Sequence, residues 1–142
     1  MNLSAKVEYA AIAVLELAIH YGSREPVRLR SISESHGIPS AFLVQIMLQL
    51  KAAGLVESTR GAAGGYTLLR DPSEVTLAEV KQIIEGPAGE ITSSIAAASP
   101  ASRVLLETWQ EIDATGWEML QNVTFAELVE RCRGRTEKMY YI

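Results

Sequence analysis

One short stretch of the sequence combines an arginine, three glycines and a tyrosine: Arg60, Gly61, Gly64, Gly65 and Tyr66. Glycine-rich loops either cradle phosphates with backbone amides or turn a hairpin. A phosphate-binding loop needs the spacing GxxxxGK[ST] or GxGxxG and then a helix. Here the spacing is GxxGG, and a second β-prone segment follows, ending at Asp-Pro. The pattern favours a hairpin whose tip approaches its target closely.

The other reactive side chains are isolated along the sequence. Cys132 is the single cysteine, and the two histidines, His20 and His36, lack the spacing of a metal-binding motif. We find no paired carboxylates, no serine–histidine–aspartate set and no nucleotide loop that would support catalysis. An enzyme is therefore the least favoured class.

The composition is that of an ordinary globular protein with an uneven distribution of charge. The 142 residues are 48% hydrophobic and carry a net charge of −4. No apolar run approaches the roughly 18 residues of a membrane span, so we expect a cytoplasmic protein without a membrane partner. Residues 1–70 hold seven basic and five acidic residues, a net charge of +2, and the rest of the chain carries −6. The N-terminal half is therefore the half expected to face phosphates.

Hydrophobic periodicity predicts three helices before the hairpin. The first covers residues 4–21, with Ser4 as its N-cap. The second contains Ser31-x-x-Glu34, a capping-box pattern, although its start could lie two or three residues earlier. The third follows Gly37 and has Pro39 in its first turn. Its apolar face is predicted to comprise Phe42, Leu43, Ile46, Met47 and Leu50.

The second half is predicted to be helical around one loop. A helix capped by Thr76 ends at Gly86-Pro87, and a loop rich in small residues covers 87–99. A long helix then runs from Ser99-Pro100 to about residue 121. Its apolar residues repeat with heptad-like spacings of 4, 3, 4 and 3: Leu105, Trp109, Ile112, Gly116 and Met119. These residues either pack on the protein's own core or form the contact surface between two copies of the chain. We favour the dimer.

A last helix begins after Thr124, with Leu128, Val129 and Cys132 predicted in the core; the tail after Gly134 has no interpretation. The expected fold class is mainly α with a small β-hairpin. A winged helix-turn-helix domain would cover residues 1–86, and dimerisation and C-terminal helices residues 100–142.

This layout predicts a protein that binds double-stranded DNA. The third helix would enter the major groove, and the hairpin, or wing, would follow the backbone or enter the adjacent minor groove. Arg28 and Arg30 are predicted to contact phosphates, whereas Arg24 and Lys51 are taken as solvated. Glycines at the tip would allow close approach to the sugar–phosphate wall. The full set of expected contacts is Arg28, Arg30, Ser40, Phe42, Gln45, Arg60, Gly64, Gly65 and Tyr66, with Gln45 as the best reader of a base edge.

The stretch "RGAAGGYTLLRDPSEVTLAEVKQIIEGP" resembles the wing and following helix of the Rrf2 family of bacterial transcription regulators, which includes IscR-like and NsrR-like repressors. The segments "LSAKVEYAAIAVLELA", "ISESHGIPSAFLVQIMLQLKAAGLV" and "TFAELV" are similar to the same family, so the resemblance covers nearly the whole chain. It implies homodimers that join through the long C-terminal helix and bind near-palindromic operators.

The sequence departs from many members of this family in the loop after "EGP". Those members carry three cysteines there, which bind an iron–sulfur cluster. Here the loop reads "PAGEITSSIAAAS" and offers only hydroxyls and Glu90. Glu8 stands where some relatives recruit a carboxylate, and we expect it to be an ordinary carboxylate. The departure predicts no cluster and no other metal or cofactor.

A second departure lies on the third helix. Cluster-binding members often show Ser followed by Tyr-Leu-Glu-Gln, whereas this chain has Phe42 and Val44 in place of the tyrosine and the glutamate. Glutamate accepts a hydrogen bond from cytosine, but valine offers only apolar contact, for example with a thymine methyl. The operator is therefore expected to differ from those of the cluster-binding members.

Two functions remain open at this point. The first is a dimeric DNA-binding repressor controlled by a small molecule, by a partner protein or by its own abundance. The second is a protein-interaction regulator whose acidic C-terminal half docks a partner enzyme.

Overall fold

The structure is a computed structural model that describes the backbone of residues 1–140 and the side chains of residues 1–136. Three helices come first: α1 (Ala5–Ile19), α2 (Leu29–His36) and α3 (Ser40–Ala52). Strands β1 (Val56–Thr59) and β2 (Gly65–Leu68) form the hairpin, and one turn of 3₁₀ helix follows at Pro72–Glu74. The chain ends in α4 (Leu77–Glu85), α5 (Pro100–Asn122) and α6 (Phe125–Tyr140). The predicted fold class is confirmed.

Hydroxyl side chains cap the predicted helices. The Ser4 oxygen accepts a hydrogen bond from the Val7 amide at 3.2 Å, and the Thr76 oxygen accepts one from the Glu79 amide at 3.2 Å. Ser99 caps α5 in a reciprocal pair with Ser102, the N3 residue, and Pro100 occupies the first helical position. These caps satisfy amides that have no partner within their helix.

Two predicted details of the helix starts are wrong. α2 begins at Leu29, two residues before Ser31, which confirms the earlier of the two predicted starts. Ser31 therefore lies inside the helix and does not cap it. Glu34 does not complete a capping box; its carboxylate pairs with Arg30 one turn earlier. Pro39 stands immediately before α3 as its N-cap rather than inside the first turn.

The hairpin is antiparallel, and one residue from outside it pairs with strand β2. Its register pairs Val56 with Leu68 and Thr59 with Gly65. Val27, which precedes α2, exchanges two backbone hydrogen bonds with Tyr66, at 2.9 and 2.8 Å. The wing is therefore anchored to the chain that leads into the helix-turn-helix.

The hydrophobic core lies between α1, α3, α4 and α6. Leu17, Leu43 and Ile46 are buried in it, as are the predicted core residues Met47 and Leu50. Phe125 and Val129 of α6 belong to the same cluster, because α6 packs back against α1. The core therefore extends past residue 86, the predicted end of the first domain. Cys132 is half-buried rather than enclosed.

Among the described residues, no helix is both long and apolar enough to cross a membrane.

Candidate nucleic-acid interface

The outward face of α3 is exposed and mostly apolar. Val44 is 40% exposed and Leu48 52%, and Gln45 is also exposed on this face. Leu43, Ile46, Met47 and Leu50 are fully buried on the opposite side, so the orientation of α3 is fixed by the core. This face is what α3 can offer to a groove of DNA.

Phe42 does not lie where the periodicity placed it. It was expected on the buried face, yet it is 57% exposed. Its ring packs edge-on against Tyr9 of α1, with ring centroids 6.4 Å apart and planes at 64°. Such aromatic pairs stabilise one orientation of the ring. Phe42 is therefore held beside the outward face of α3, where it can contact a ligand.

The turn between α2 and α3 is closed by glycine and serine. Gly37 has φ of 65°, a left-handed conformation that favours glycine. Ser33 donates a hydrogen bond to the Ile38 carbonyl at 2.6 Å and lies 3.2 Å from the Ser40 hydroxyl. Ser40 is exposed at the start of α3. This network fixes the angle at which α3 leaves the turn.

The glycines of the wing are needed inside the protein. A Cβ at Gly64 would lie 2.3 Å from the Thr59 carbonyl oxygen, and one at Gly65 would lie 2.5 Å from the Val27 carbonyl oxygen. Both distances are far below van der Waals contact. The expected reason for these glycines was close approach to DNA, whereas the packing of the hairpin already requires them. Arg60 and Gly61 at the tip are exposed.

Arg28, the residue before α2, and Arg30, within α2, have different surroundings. The Arg28 guanidinium donates a hydrogen bond to the Ala62 carbonyl oxygen at the tip of the wing. Arg30 forms an exposed ion pair with Glu34, with Nε and Oε1 2.8 Å apart. Arg28 thus ties the wing to the helix-turn-helix. Lys51, at the end of α3, donates a hydrogen bond to the Ser58 hydroxyl at 2.7 Å.

α5 presents a second exposed apolar surface. Leu105, Trp109, Ile112 and Met119 are each between 58% and 66% exposed, and Gly116 lies half-buried in the same row. We call this row of five residues the α5 seam. Its exposure rules out packing on the chain's own core, one of the two interpretations of the heptad spacing. Val104, which the heptad did not include, is also 61% exposed.

A cavity of about 1120 Å³ opens along the α5 seam, and the seam residues Trp109, Ile112 and Gly116 line it. The end of α4, the loop at residues 86–91 and α5 enclose it, and Trp109 and Trp117 form part of its wall. The Gln110 side chain donates a hydrogen bond to the Ile91 carbonyl at 3.1 Å and so holds the loop against α5. The described part of the chain contains no group of three or more His, Cys, Asp or Glu residues placed to hold a metal ion.

Comparison with known proteins fits this arrangement. A model of the Rrf2 family, described as an iron-dependent transcriptional regulator, matches residues 3–131. The chain belongs to the Rrf2 family. It is 33% identical over 143 residues to the HTH-type transcriptional regulator CymR of Bacillus subtilis, with 100% of both chains covered. It is 35% identical over 131 residues to IscR of Serratia proteamaculans, covering 91% of this chain and 79% of that relative.

Solved structures of Rrf2 proteins share the fold. The structure of B. subtilis CymR, described as the global cysteine regulator of that organism, matches with a TM-score of 0.80 and 31% identity. The match covers 92% of this chain and 98% of that one. The structure of T. potens IscR matches with a TM-score of 0.74 and 29% identity, over 93% and 88% of the two chains. The protein is thus a helix-turn-helix, DNA-binding transcriptional regulator of the Rrf2 family.

Proposed function

We propose that two copies of this chain bind a near-palindromic operator in double-stranded DNA and repress transcription in the cytoplasm, without an iron–sulfur cluster. The observation that carries the proposal is the pairing of an exposed recognition face on α3 with an exposed arginine on an anchored wing. Gln45 is exposed on the first and Arg60 on the second. The hydrogen bonds between Val27 and Tyr66 tie the wing to the chain entering α2.

Each element has a separate task in this complex. α3 lies in the major groove, where Gln45 pairs with an adenine edge and Ser40 and Phe42 contact the adjoining surface. Arg60 enters the minor groove beside it, where a narrow groove strengthens the negative potential. Arg28 and Arg30 lie near phosphates, and the backbone at Gly64, Gly65 and Tyr66 shapes the wing. Phosphate contacts set the position of the protein, and base contacts set the sequence.

The dimer is proposed to form through the α5 seam. Four large apolar side chains exposed along one helix would be costly to leave in water, since apolar burial contributes roughly 25 cal/mol per Å². Two-fold symmetry then places two copies of α3 on two half-sites, about one helical turn of DNA apart. The near-palindromic operator follows from this symmetry.

The loop residues do not fit an iron–sulfur cluster. Such clusters are held by cysteine thiolates, in some cases with histidine. Residues 87–99 contain neither, and the single cysteine, Cys132, lies on α6. Glu8 is exposed in the first turn of α1. Anaerobic purification tests this part: the protein should carry no stoichiometric iron and sulfide and no visible charge-transfer absorption, and their presence would overturn it.

A second function is favoured by the charge of α5. Glu107, Glu111 and Glu118 are spaced by four and seven residues, so they lie on one side of the helix, and all three are exposed. This acidic stripe lies in the half of the chain that carries −6. It suits docking of a partner enzyme with a basic surface, which would control the regulator in place of a cluster. A small molecule in the cavity along the α5 seam is the other candidate effector.

Selection of binding sites from a pool of random duplexes tests the main proposal. The protein should enrich one near-palindromic sequence, and the affinity for it should fall steeply with salt, as phosphate contacts release counterions. Capture of one enzyme without any sequence-selective DNA binding would support the second function and contradict the first.

A further inference from the structure

We infer that α3 recognises the C5 methyl groups of pyrimidines in the major groove, so that thymine and 5-methylcytosine are favoured under Val44 and Leu48. The inference rests on the proposed binding of DNA through α3. Beyond DNA binding itself, the inference specifies the chemical group of the base pairs that α3 contacts and the side chains that contact it.

The first step is the order of side chains around α3. At 3.6 residues per turn, Ala41, Leu48 and Ala52 lie along the centre of the outward face, opposite the buried residues. Val44 flanks this line on one side and Gln45 on the other. All five are exposed. The part of α3 that would enter the groove most deeply is therefore apolar, with one amide beside it.

The second step is that α3 has almost no charged side chains that could hydrogen-bond to bases. Arginine and lysine are the usual partners of guanine, and aspartate and glutamate accept from cytosine. Of the residues from Ser40 to Ala52, all of which the structure describes, Lys51 is the single charged one. Its ammonium group donates to the Ser58 hydroxyl at 2.7 Å, at the far end of the helix. Gln49 is half-buried, so beyond Ser40 in the first turn, Gln45 is the exposed uncharged side chain of α3 that can hydrogen-bond to a base.

The third step is the feature of DNA that matches such a face. Among the four ordinary bases, only thymine presents an apolar group in the major groove, its C5 methyl. Cytosine methylated at C5 presents the same group at the same place. Contact with Val44 and Leu48 would remove this methyl and the two side chains from water together. Burial of one methyl-sized group contributes about 0.8 kcal/mol, which corresponds to about a fourfold change in affinity.

The test uses the operator obtained by site selection, with single thymines replaced by deoxyuridine in both half-sites. The exchange removes the C5 methyl and keeps every hydrogen-bonding group of the base. We expect at least one symmetric pair of thymines at which uracil lowers affinity about 15-fold, the product of two fourfold effects. With cytosine at that position, C5 methylation should raise affinity by a similar factor.

Val44→Ala and Leu48→Ala connect the effect to the protein. Both positions are exposed and alanine favours helix, so the variants should keep the wild-type melting temperature. At least one of them should bind thymine and uracil operators equally. Gln45→Ala is the matched control, which should weaken binding but keep the preference for thymine.

The outcomes separate this inference from the function on which it rests. If the protein selects an operator but tolerates uracil at every position within twofold, methyl recognition is wrong and DNA binding stands. A preference for thymine that survives in both Val44→Ala and Leu48→Ala also overturns it. If no operator is selected at all, the proposed function itself fails.

Discussion

The guanidinium of Arg28, which precedes α2, donates a hydrogen bond to the Ala62 carbonyl oxygen at the tip of the wing. The neighbouring Val27 exchanges two backbone hydrogen bonds with Tyr66 in β2. Two consecutive residues therefore hold strand β2 and the tip of the hairpin. The wing reaches its target as part of the helix-turn-helix rather than as a free loop.

Arg28→Ala should loosen the tip of the wing without unfolding the protein. A single hydrogen bond of this kind contributes about 1 kcal/mol, so amide exchange at residues 61–64 should accelerate severalfold. Hydrogen exchange read by mass spectrometry measures this directly. Arg30→Ala is the control, because the Arg30 side chain pairs with Glu34 within α2 and is 86% exposed. Equal exchange in the two variants would contradict the role given to Arg28.

Arg60→Ala should act on DNA affinity through salt dependence. Each basic side chain that replaces counterions on DNA, at a phosphate or in the minor groove, contributes roughly 0.9 to the slope of log affinity against log salt concentration. A dimer that loses two such contacts should show a slope shallower by about 2. Titrations of the selected operator at several salt concentrations give the slope. An unchanged slope would mean that Arg60 remains in solvent in the complex.

Gly65→Ala should destabilise the fold even without DNA. The new Cβ would lie 2.5 Å from the Val27 carbonyl oxygen and 3.0 Å from the Pro26 Cβ, so the segment before α2 must move. Overpacking of this kind costs about 1–3 kcal/mol. Urea denaturation measures the loss. Gly89→Ala is the control, since its Cβ would meet nothing within 4 Å and it should unfold at the wild-type midpoint.

Dimerisation through the α5 seam can be tested with a variant that stabilises α5 itself. A Cβ at Gly116 would point into open space, so Gly116→Ala should stabilise the isolated chain by up to about 1 kcal/mol. If two copies of α5 cross closely at Gly116, the same methyl should weaken the dimer. Analytical ultracentrifugation reports the dimer dissociation constant. Gly134→Ala, also in a helix with open space around it, should leave that constant unchanged.

Local signals in the sequence predicted most of the elements. The caps at Ser4, Thr76 and Ser99 and the hairpin after α3 depend on residues within a few positions of each other, and all of them are present. The exposure of the α5 seam was also foreseeable, because a heptad-like repeat points to a helical partner.

Contacts between distant residues were the part that the sequence did not reveal. Nothing local indicates that Val27 pairs with Tyr66, or that the Arg28 guanidinium donates a hydrogen bond to Ala62. The position of Phe42 was wrong because its side chain meets Tyr9 of another helix instead of the core. Phe125 joins the core through the packing of α6 on α1, which no periodicity within α6 could specify.

Acid should weaken the contact between α1 and α4. The Lys81 ammonium and the Ser4 hydroxyl donate hydrogen bonds to Glu85 and lower the pKa of its carboxyl from the ordinary value of 4.5. Because the folded pKa is the lower one, this stabilisation is complete above pH 4.5 and is lost as the pH falls through the folded pKa. Glu85→Gln should therefore narrow the difference between urea midpoints at pH 7 and pH 3. Glu90→Gln, on the exposed loop, should leave that difference as in the wild type.

The most direct test of DNA recognition by α3 and the wing is the operator affinity of one double variant, Gln45→Ala with Arg60→Ala. Both side chains are exposed, so the fold should remain intact. A lost glutamine–adenine pair costs about 1–3 kcal/mol per half-site, or at least about 2 kcal/mol per dimer, and loss of the arginine contact adds to this cost. The dimer should therefore lose at least about 30-fold in affinity. Wild-type affinity in a folded double variant would contradict the proposed interface.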